Sequence, residues 1–157
     1  MSPADLKLAA ATPVRPTVAF SPGIRRSMQA NLPRDTRPEI ALRSALHREG
    51  LRFRKHYRPI KGLRCEVDIA FPRAGLAVYL DGCFWHSCPI HGSLPMTNRD
   101  WWKWKLDTTK VRDKRNNAAL RAAGWWVLRA WEHESVEQIA ERVRTALRRR
   151  AIFVRSC

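Results

Sequence analysis

The first clear hydrophobic period along the chain lies at residues 37–48. Ile40, Ala41, Leu42, Ala45 and Leu46 recur at spacings of three and four, the stripe that an amphipathic helix turns toward a core. Pro38 suits the first turn of that helix and Gly50 its exit. The period then changes to two. Residues 51–57 alternate apolar and polar side chains, as a half-buried strand does, and residues 65–71 and 75–81 read as two more strands. Only residues 72–74 separate those two, which predicts a hairpin. Residues 82–96 have no period and carry two Pro and two Gly among Cys and His, the composition of a loop that holds ligands. Residues 99–123 read as a long helix ended by Gly124, residues 125–131 as a fourth strand and residues 136–150 as a closing basic helix. The order αβββαβα predicts an α/β fold with a mixed central sheet flanked by helices. Residues 1–22 are rich in Ala, Pro and Thr and are expected to form a flexible arm, residues 23–150 a single domain and residues 151–157 a tail.

Charge narrows the choice of partner. The 157 residues hold 30 Lys and Arg against 14 Asp and Glu, a net charge of +16. A compact chain so charged repels itself unless a polyanion relieves it, and Lys and Arg that neutralise phosphates gain by releasing counterions. Nucleic acid is therefore the expected partner. An anionic membrane is the plainer rival, but no apolar run approaches the ~20 residues that a membrane-crossing helix needs. The first residues lack the basic start and apolar core of a secretory leader, so the chain is expected in the cytoplasm, beside the nucleoid. In that compartment four cysteines point to metal ligation or buried thiols before disulfides.

Cys83-x4-Cys88-x2-His91 is the sharpest local signal. Thiolate and imidazole ligands on a loop can close around Zn²⁺ in a tetrahedron, and three of the four ligands are here. The fourth must come from elsewhere: His133, just after the fourth strand, is the best candidate, with His86 also near. Ordinary thiols and a solvated histidine are the plainer account of the same residues. Asp68 and Asp81 fall on the two hairpin strands, where carboxylates can hold Mg²⁺ for work on a phosphate. His86, five residues beyond Asp81, is a candidate general base, and Glu39 on the first helix is a candidate to orient water. Against this, Asp often ends strands for turn reasons, and a Glu in a first helical turn is favoured by the helix dipole alone.

Asp81-Gly82-Cys83-Phe84-Trp85-His86 is a recognisable string. With Cys88-Pro89, His91-Gly92, Pro95-x-Thr97-Asn98, Trp101-Trp102, Arg112-Asp113, Gly124-Trp125 and Trp131-Glu132, and with Arg34-Asp35-Thr36 before Glu39, the chain resembles the very short patch repair (Vsr) DNA mismatch endonucleases over residues 23–148. The resemblance implies a restriction-endonuclease-like fold with a structural zinc loop. It implies a monomer that nicks one strand 5′ of the thymine of a T:G mismatch, the product of 5-methylcytosine deamination, and hands the nick to downstream repair proteins. By family position, Asp68 binds Mg²⁺, the main-chain carbonyl of Leu80 is a second ligand, His86 activates water and Glu39 supports the water at the metal. Cys83, Cys88, His91 and His133 fall on the zinc site. Asp81 stands where some members carry a histidine, and His133 where some carry a cysteine. The acidic-x-lysine pattern usual on the third strand of the wider superfamily is missing, since residues 80–82 read Leu-Asp-Gly.

Seven Trp is a high count, and they cluster between Trp85 and Trp131. Trp125 and Trp131 are six apart on one predicted strand face and are expected in the core. Phe84, Trp85, Trp101, Trp102 and Trp104 lie in or just after the loop. Rings pushed into a base step unstack it, and a mismatched pair yields more cheaply than a normal one. In the family resembled, Phe84, Trp85 and Trp102 match the rings that intercalate beside the mismatch, with core packing as the plainer account. Met28, flanked by Arg25 and Arg26, is a candidate arm contact from the opposite groove. Arg112, Lys114, Arg115 and Arg148 to Arg150 are candidate phosphate contacts, though any one of them is more often a solvated charge. Two other readings stay open. One is a nuclease of the same fold triggered by other mismatches or a deaminated base. The other is a zinc module that grips distorted DNA without cutting it.

Overall fold

The computed structural model describes residues 15–23, 25–26 and 34–155. From Arg37 onward the elements follow in the expected order: α1 (Arg37–Arg48), β1 (Arg54–Tyr57), β2 (Val67–Phe71), β3 (Leu76–Asp81), α2 (Arg99–Ala122), β4 (Trp126–Trp131) and α3 (Val136–Arg155). The four strands form one mixed sheet in the order β1-β2-β3-β4. β1, β2 and β3 are successively antiparallel, and α2 carries the chain across so that β4 runs parallel to β3, Leu76 beside Trp126 and Asp81 beside Trp131.

Strand alternation sorts side chains onto two faces. Ile69, Phe71, Leu76 and Val78 meet Leu42 and Leu46 of α1 and Ile139, Ala140 and Val143 of α3 in the larger core. Ala70 and Ala77 turn the other way, toward Leu120 of α2, with Cys65, Val67, Tyr57 and Trp125 around them. Helices thus cover both faces. Among the described residues no helix is long and apolar enough to cross a membrane.

Several boundaries differ from the periodicity, each for a local reason. Pairing in β1 starts at Arg54, opposite Ala70, because the next positions of β2 run into the turn that begins at Pro72, so residues 51–52 have no ladder to join. Leu51 and Phe53 pack against the core instead. Residues 65–66 fail to pair because their register partners on the β1 side would fall beyond Tyr57, near Pro59, which has no N–H. α3 continues past residue 150 because nothing in the sequence breaks it. Of the two tryptophans expected in the core, Trp125 lies half-buried and tilted against Tyr57 in the smaller core, whereas half-buried Trp131 lies 6.4 Å from His133 with the two rings nearly parallel.

Candidate active site and metal centre

The polar chemistry gathers where parallel β3 and β4 end and antiparallel β2 begins, the edge at which open α/β sheets present their ligands. Asp68, near the start of β2, is half-buried. The Leu80 N–H of the neighbouring strand donates to its Oδ2 at 2.8 Å. Burial, reinforced by the charges of Glu39 and Asp81, pushes the Asp68 carboxyl up to about 6 against the pull of that hydrogen bond. Glu39 reaches this place from the first turn of α1, where it is almost wholly buried. Thr36 caps the helix, Thr36 Oγ1 donates to Glu39 Oε1 at 2.9 Å, and the Asp35 N–H donates to Oε2 at 3.0 Å. Glu39 thus helps to cap α1, is buried instead of solvated, and adds negative charge at Asp68. Beside it, Asp35 accepts a hydrogen bond from Arg43 and lies 3.2 Å from His56 Nε2, contacts that hold its carboxyl at about 2.

Asp81 has a different geometry. Its two oxygens receive Arg129 Nη2 and Nε at 2.6 and 2.7 Å, a bidentate pair that occupies the carboxylate. Arg129 also reaches Asn117 and Asp113 on α2 and lies over the Tyr79 ring, so β3, β4 and α2 are tied together through one guanidinium. His86, on the loop after β3, places Nδ1 2.6 Å from Asp113 Oδ2. Burial alone would raise the Asp113 carboxyl, but the contact with His86 and the charge of Arg129 outweigh it and hold Asp113 below the ordinary carboxylate range. An anionic Asp113 fixes the proton of the neutral imidazole on Nδ1 and leaves Nε2 as the acceptor. Residue type and spacing did not single out Asp113 and Arg129 as site residues, because they lie 27 and 43 residues from His86.

The Cys/His loop folds back on itself. Cys88 N–H donates to Cys83 O at 2.8 Å and Gly92 N–H to Cys88 O at 2.7 Å. A Cβ on Gly92 would collide with the Cys88 backbone, so glycine there permits the tight return that brings His91 toward Cys83. His133 arrives from just beyond β4, and the ligand atoms of Cys83, Cys88, His91 and His133 all lie within 4.8 Å of one another. Cys83 Sγ is 3.1 Å from His133 Nδ1 and 3.9 Å from His91 Nδ1, and Cys88 Sγ is 3.7 Å from His133 Nδ1. Donors ~2.0–2.3 Å from a shared Zn²⁺ stand about 3–4 Å apart, and these three separations fall in that range. Burial, the Cys88 thiol and the charge of Glu132 push the Cys83 thiol up to about 11, whereas at Cys88 the backbone around His91 and Ile90 outweighs burial and lowers it. The donor set fits a thiolate-binding dication. His86 stays outside this group, held by Asp113, and Glu132 braces the loop by accepting the Cys83 N–H at 2.7 Å.

Phe84, Trp85, Trp101 and Trp102 form one aromatic cluster, with neighbouring ring centroids 4.7–6.0 Å apart. Phe84 and Trp85 are half-buried, but Trp102 is only 5% exposed and forms the floor on which they stand. Arg25, Arg26, Arg112, Lys114 and Arg115 are exposed, and Met28 lies outside the described residues. Arg150 has another occupation. It donates to the carbonyls of Ala74 and Gly124 and lies over the Trp126 ring, so it staples α3 to the far edge of the sheet instead of standing ready for a phosphate.

The chain is similar to known DNA-cleaving enzymes. The family model for DNA mismatch endonuclease Vsr matches residues 19–91. The chain is 48% identical over 117 residues to the type II nicking enzyme V.NaeI of Lentzea aerocolonigenes, covering 73% of this chain and 70% of that protein. It is 43% identical over 121 residues to the type II nicking enzyme V.XorIIP of Xanthomonas oryzae pv. oryzae, 75% of this chain and 86% of that one. Against the DNA mismatch endonuclease Vsr of Escherichia coli K12 the identity is 32% over 109 residues, 68% and 67% of the two chains. A basic α/β domain with a carboxylate and an aspartate-held histidine at its strand ends thus falls in the class of DNA endonucleases. The chain belongs to the Vsr DNA mismatch endonuclease family.

Proposed function

We propose that this endonuclease nicks duplex DNA, hydrolysing one strand 5′ of the thymine of a T:G mismatch left by deamination of 5-methylcytosine, and so opens a short repair patch. Relatives named as nicking enzymes and as a mismatch endonuclease support that reading. The observation that carries it is the 2.6 Å contact between His86 and Asp113. His86 Nε2 takes the proton from the water that attacks the scissile phosphate, and anionic Asp113 stabilises the imidazolium that results. His86→Ala is expected to lower single-turnover nicking by about a hundredfold or more. Asp113→Asn should also lose rate, with duplex affinity unchanged. An Asp113→Asn enzyme as fast as the parent would remove Asp113 from this role.

Asp68, with the main-chain carbonyl of Leu80, would hold Mg²⁺. The charge of Glu39 bears on Asp68, whereas Asp81 is neutralised by Arg129 and serves to orient. Mg²⁺ supplies polarisation of the phosphate and a lowered water pKa. Glu39, fixed by its two hydrogen bonds, orients solvent beside Asp68. Cys83, Cys88, His91 and His133 would hold one structural Zn²⁺ that shapes the loop carrying Phe84, Trp85 and His86.

The aromatic cluster is the proposed mismatch wedge, with Phe84 and Trp85 as the inserting rings and Trp102 beneath them. Phe84→Ala and Trp85→Ala should keep the melting temperature within a few degrees and still nick a T:G duplex poorly, since stacking on a base is worth ~1–3 kcal/mol. Trp102→Ala should behave differently, because truncating a buried Trp costs ~3–5 kcal/mol of stability. Normal nicking per folded molecule in the Phe84 and Trp85 variants would remove the wedge. The function as a whole is tested with Mg²⁺ and strand-labelled duplexes carrying T:G, T:A, other mismatches or a deaminated base. Cleavage confined to the thymine strand of T:G is expected. Equal cleavage of another lesion would give the trigger to that lesion, and tight binding without cleavage would leave a recognition module.

A further inference from the structure

Asn98 is used in an unusual way. It stands at the N-cap of α2, where an asparagine side chain ordinarily accepts from the first turn, but it makes no capping hydrogen bond. Its backbone is left-handed, with φ 55° and ψ 38°, a region Asn tolerates better than most residues. Its side chain is buried and turned toward a segment eighty residues earlier. Val18 N–H donates to Asn98 Oδ1 at 2.7 Å and Asn98 Nδ2 donates to Val18 O at 2.7 Å, the pairing of a strand neighbour made by one amide. Thr17 Oγ1 adds a third hydrogen bond, at 3.1 Å to Oδ1. Two residues on, Phe20 sets its ring edge-on against Trp101 and Trp102, with centroids 5.2 and 6.1 Å away. The chain then leads through Ser21 to exposed Arg25 and Arg26.

We propose that Asn98 is a positioning residue for DNA binding: it clips residues 17–18 to the head of α2 so that Phe20 seats on the aromatic cluster and Arg25 and Arg26 are delivered to the phosphates flanking the wedge. This rests on the reading of the cluster as a DNA-contacting surface. A helix start that forgoes its own cap to hold a distant segment gives up stabilisation locally, and the segment so held gains a fixed origin. Ordering the arm before DNA arrives removes an entropy cost from binding, which is the benefit of preorganisation. A basic arm tethered only at its far end would have to be ordered at each encounter.

The test compares the full-length parent with Asn98→Gly, which keeps the left-handed backbone free of strain, and with Val18→Pro, which removes the N–H from the other side of the clip. Each is titrated with a T:G duplex at several salt concentrations, without Mg²⁺. Both variants are expected to bind about tenfold more weakly, with the slope of log K against log salt flattened by about 1–2, since each phosphate contact contributes ~0.9. Trypsin should cut faster at Arg25 and Arg26 in both. In nicking assays the loss should fall on KM and not on the rate at saturation. The double variant should bind no more weakly than either single one, because both remove one device. An unchanged salt slope in both single variants, or unchanged trypsin sensitivity, overturns the clip. A parent that binds no duplex overturns the DNA-contacting reading and this inference with it.

Discussion

Asp68→Ala is expected to abolish nicking while leaving duplex binding largely intact. This carboxylate sits on rigid strand backbone, fixed by the Leu80 N–H, in a setting of burial and like charge that a cation would relieve. A divalent ion contributes several kcal/mol to the stabilisation of charge at a phosphate under attack, so its loss is worth about a thousandfold or more in rate. Affinity rests elsewhere. It is spread over a chain of net charge +16, and removing one negative group near the scissile phosphate leaves those attractions in place or strengthens them. Single-turnover nicking and a binding titration on the same preparation separate the two quantities. Nicking at the parent rate with Mg²⁺ present would move the catalytic centre away from Asp68.

The second large effect concerns the four-ligand cluster. The parent is expected to hold one equivalent of zinc that survives dialysis against EDTA strong enough to strip Mg²⁺. Cys83→Ser and Cys88→Ser should lose it and melt lower by about 10 °C or more. A closed zinc site contributes folding free energy directly, and a loss of several kcal/mol moves the midpoint of a domain this size by ~2–4 °C for each. The loop lacks regular structure; apart from the Cys/His cluster, it is tied down by His86 on Asp113, by the Phe84 and Trp85 rings on Trp102 and by Glu132, which accepts the Cys83 N–H. Because the loop also carries Phe84, Trp85 and His86, nicking should fall with the metal. Elemental analysis that finds no zinc in active protein would remove the structural metal. His133→Ala that keeps zinc at full affinity would give the fourth ligand to another residue.

The sequence alone determined the elements and their order, because helical and strand periods are local properties of which side chains can be kept from water. Leu42 and Leu46, four apart, had to share a face, and so did Ile69 and Phe71, two apart. It also determined a loop set with Cys83, Cys88 and His91, since those ligands are close along the chain. Tertiary structure decided everything that depends on meeting across distance. It brought His133 to Cys83 over 50 residues and Asp113 to His86 over 27, and it occupied Asp81 with Arg129 over 48. It made Trp102 a floor instead of an exposed ring, and it tied part of the stretch expected to be a flexible arm to Asn98. No period encodes these pairings. They follow from how the α2 crossover and the β3–β4 register set the helix against the strand ends, a long-range arrangement that the packing of both cores fixes only once the whole chain has folded.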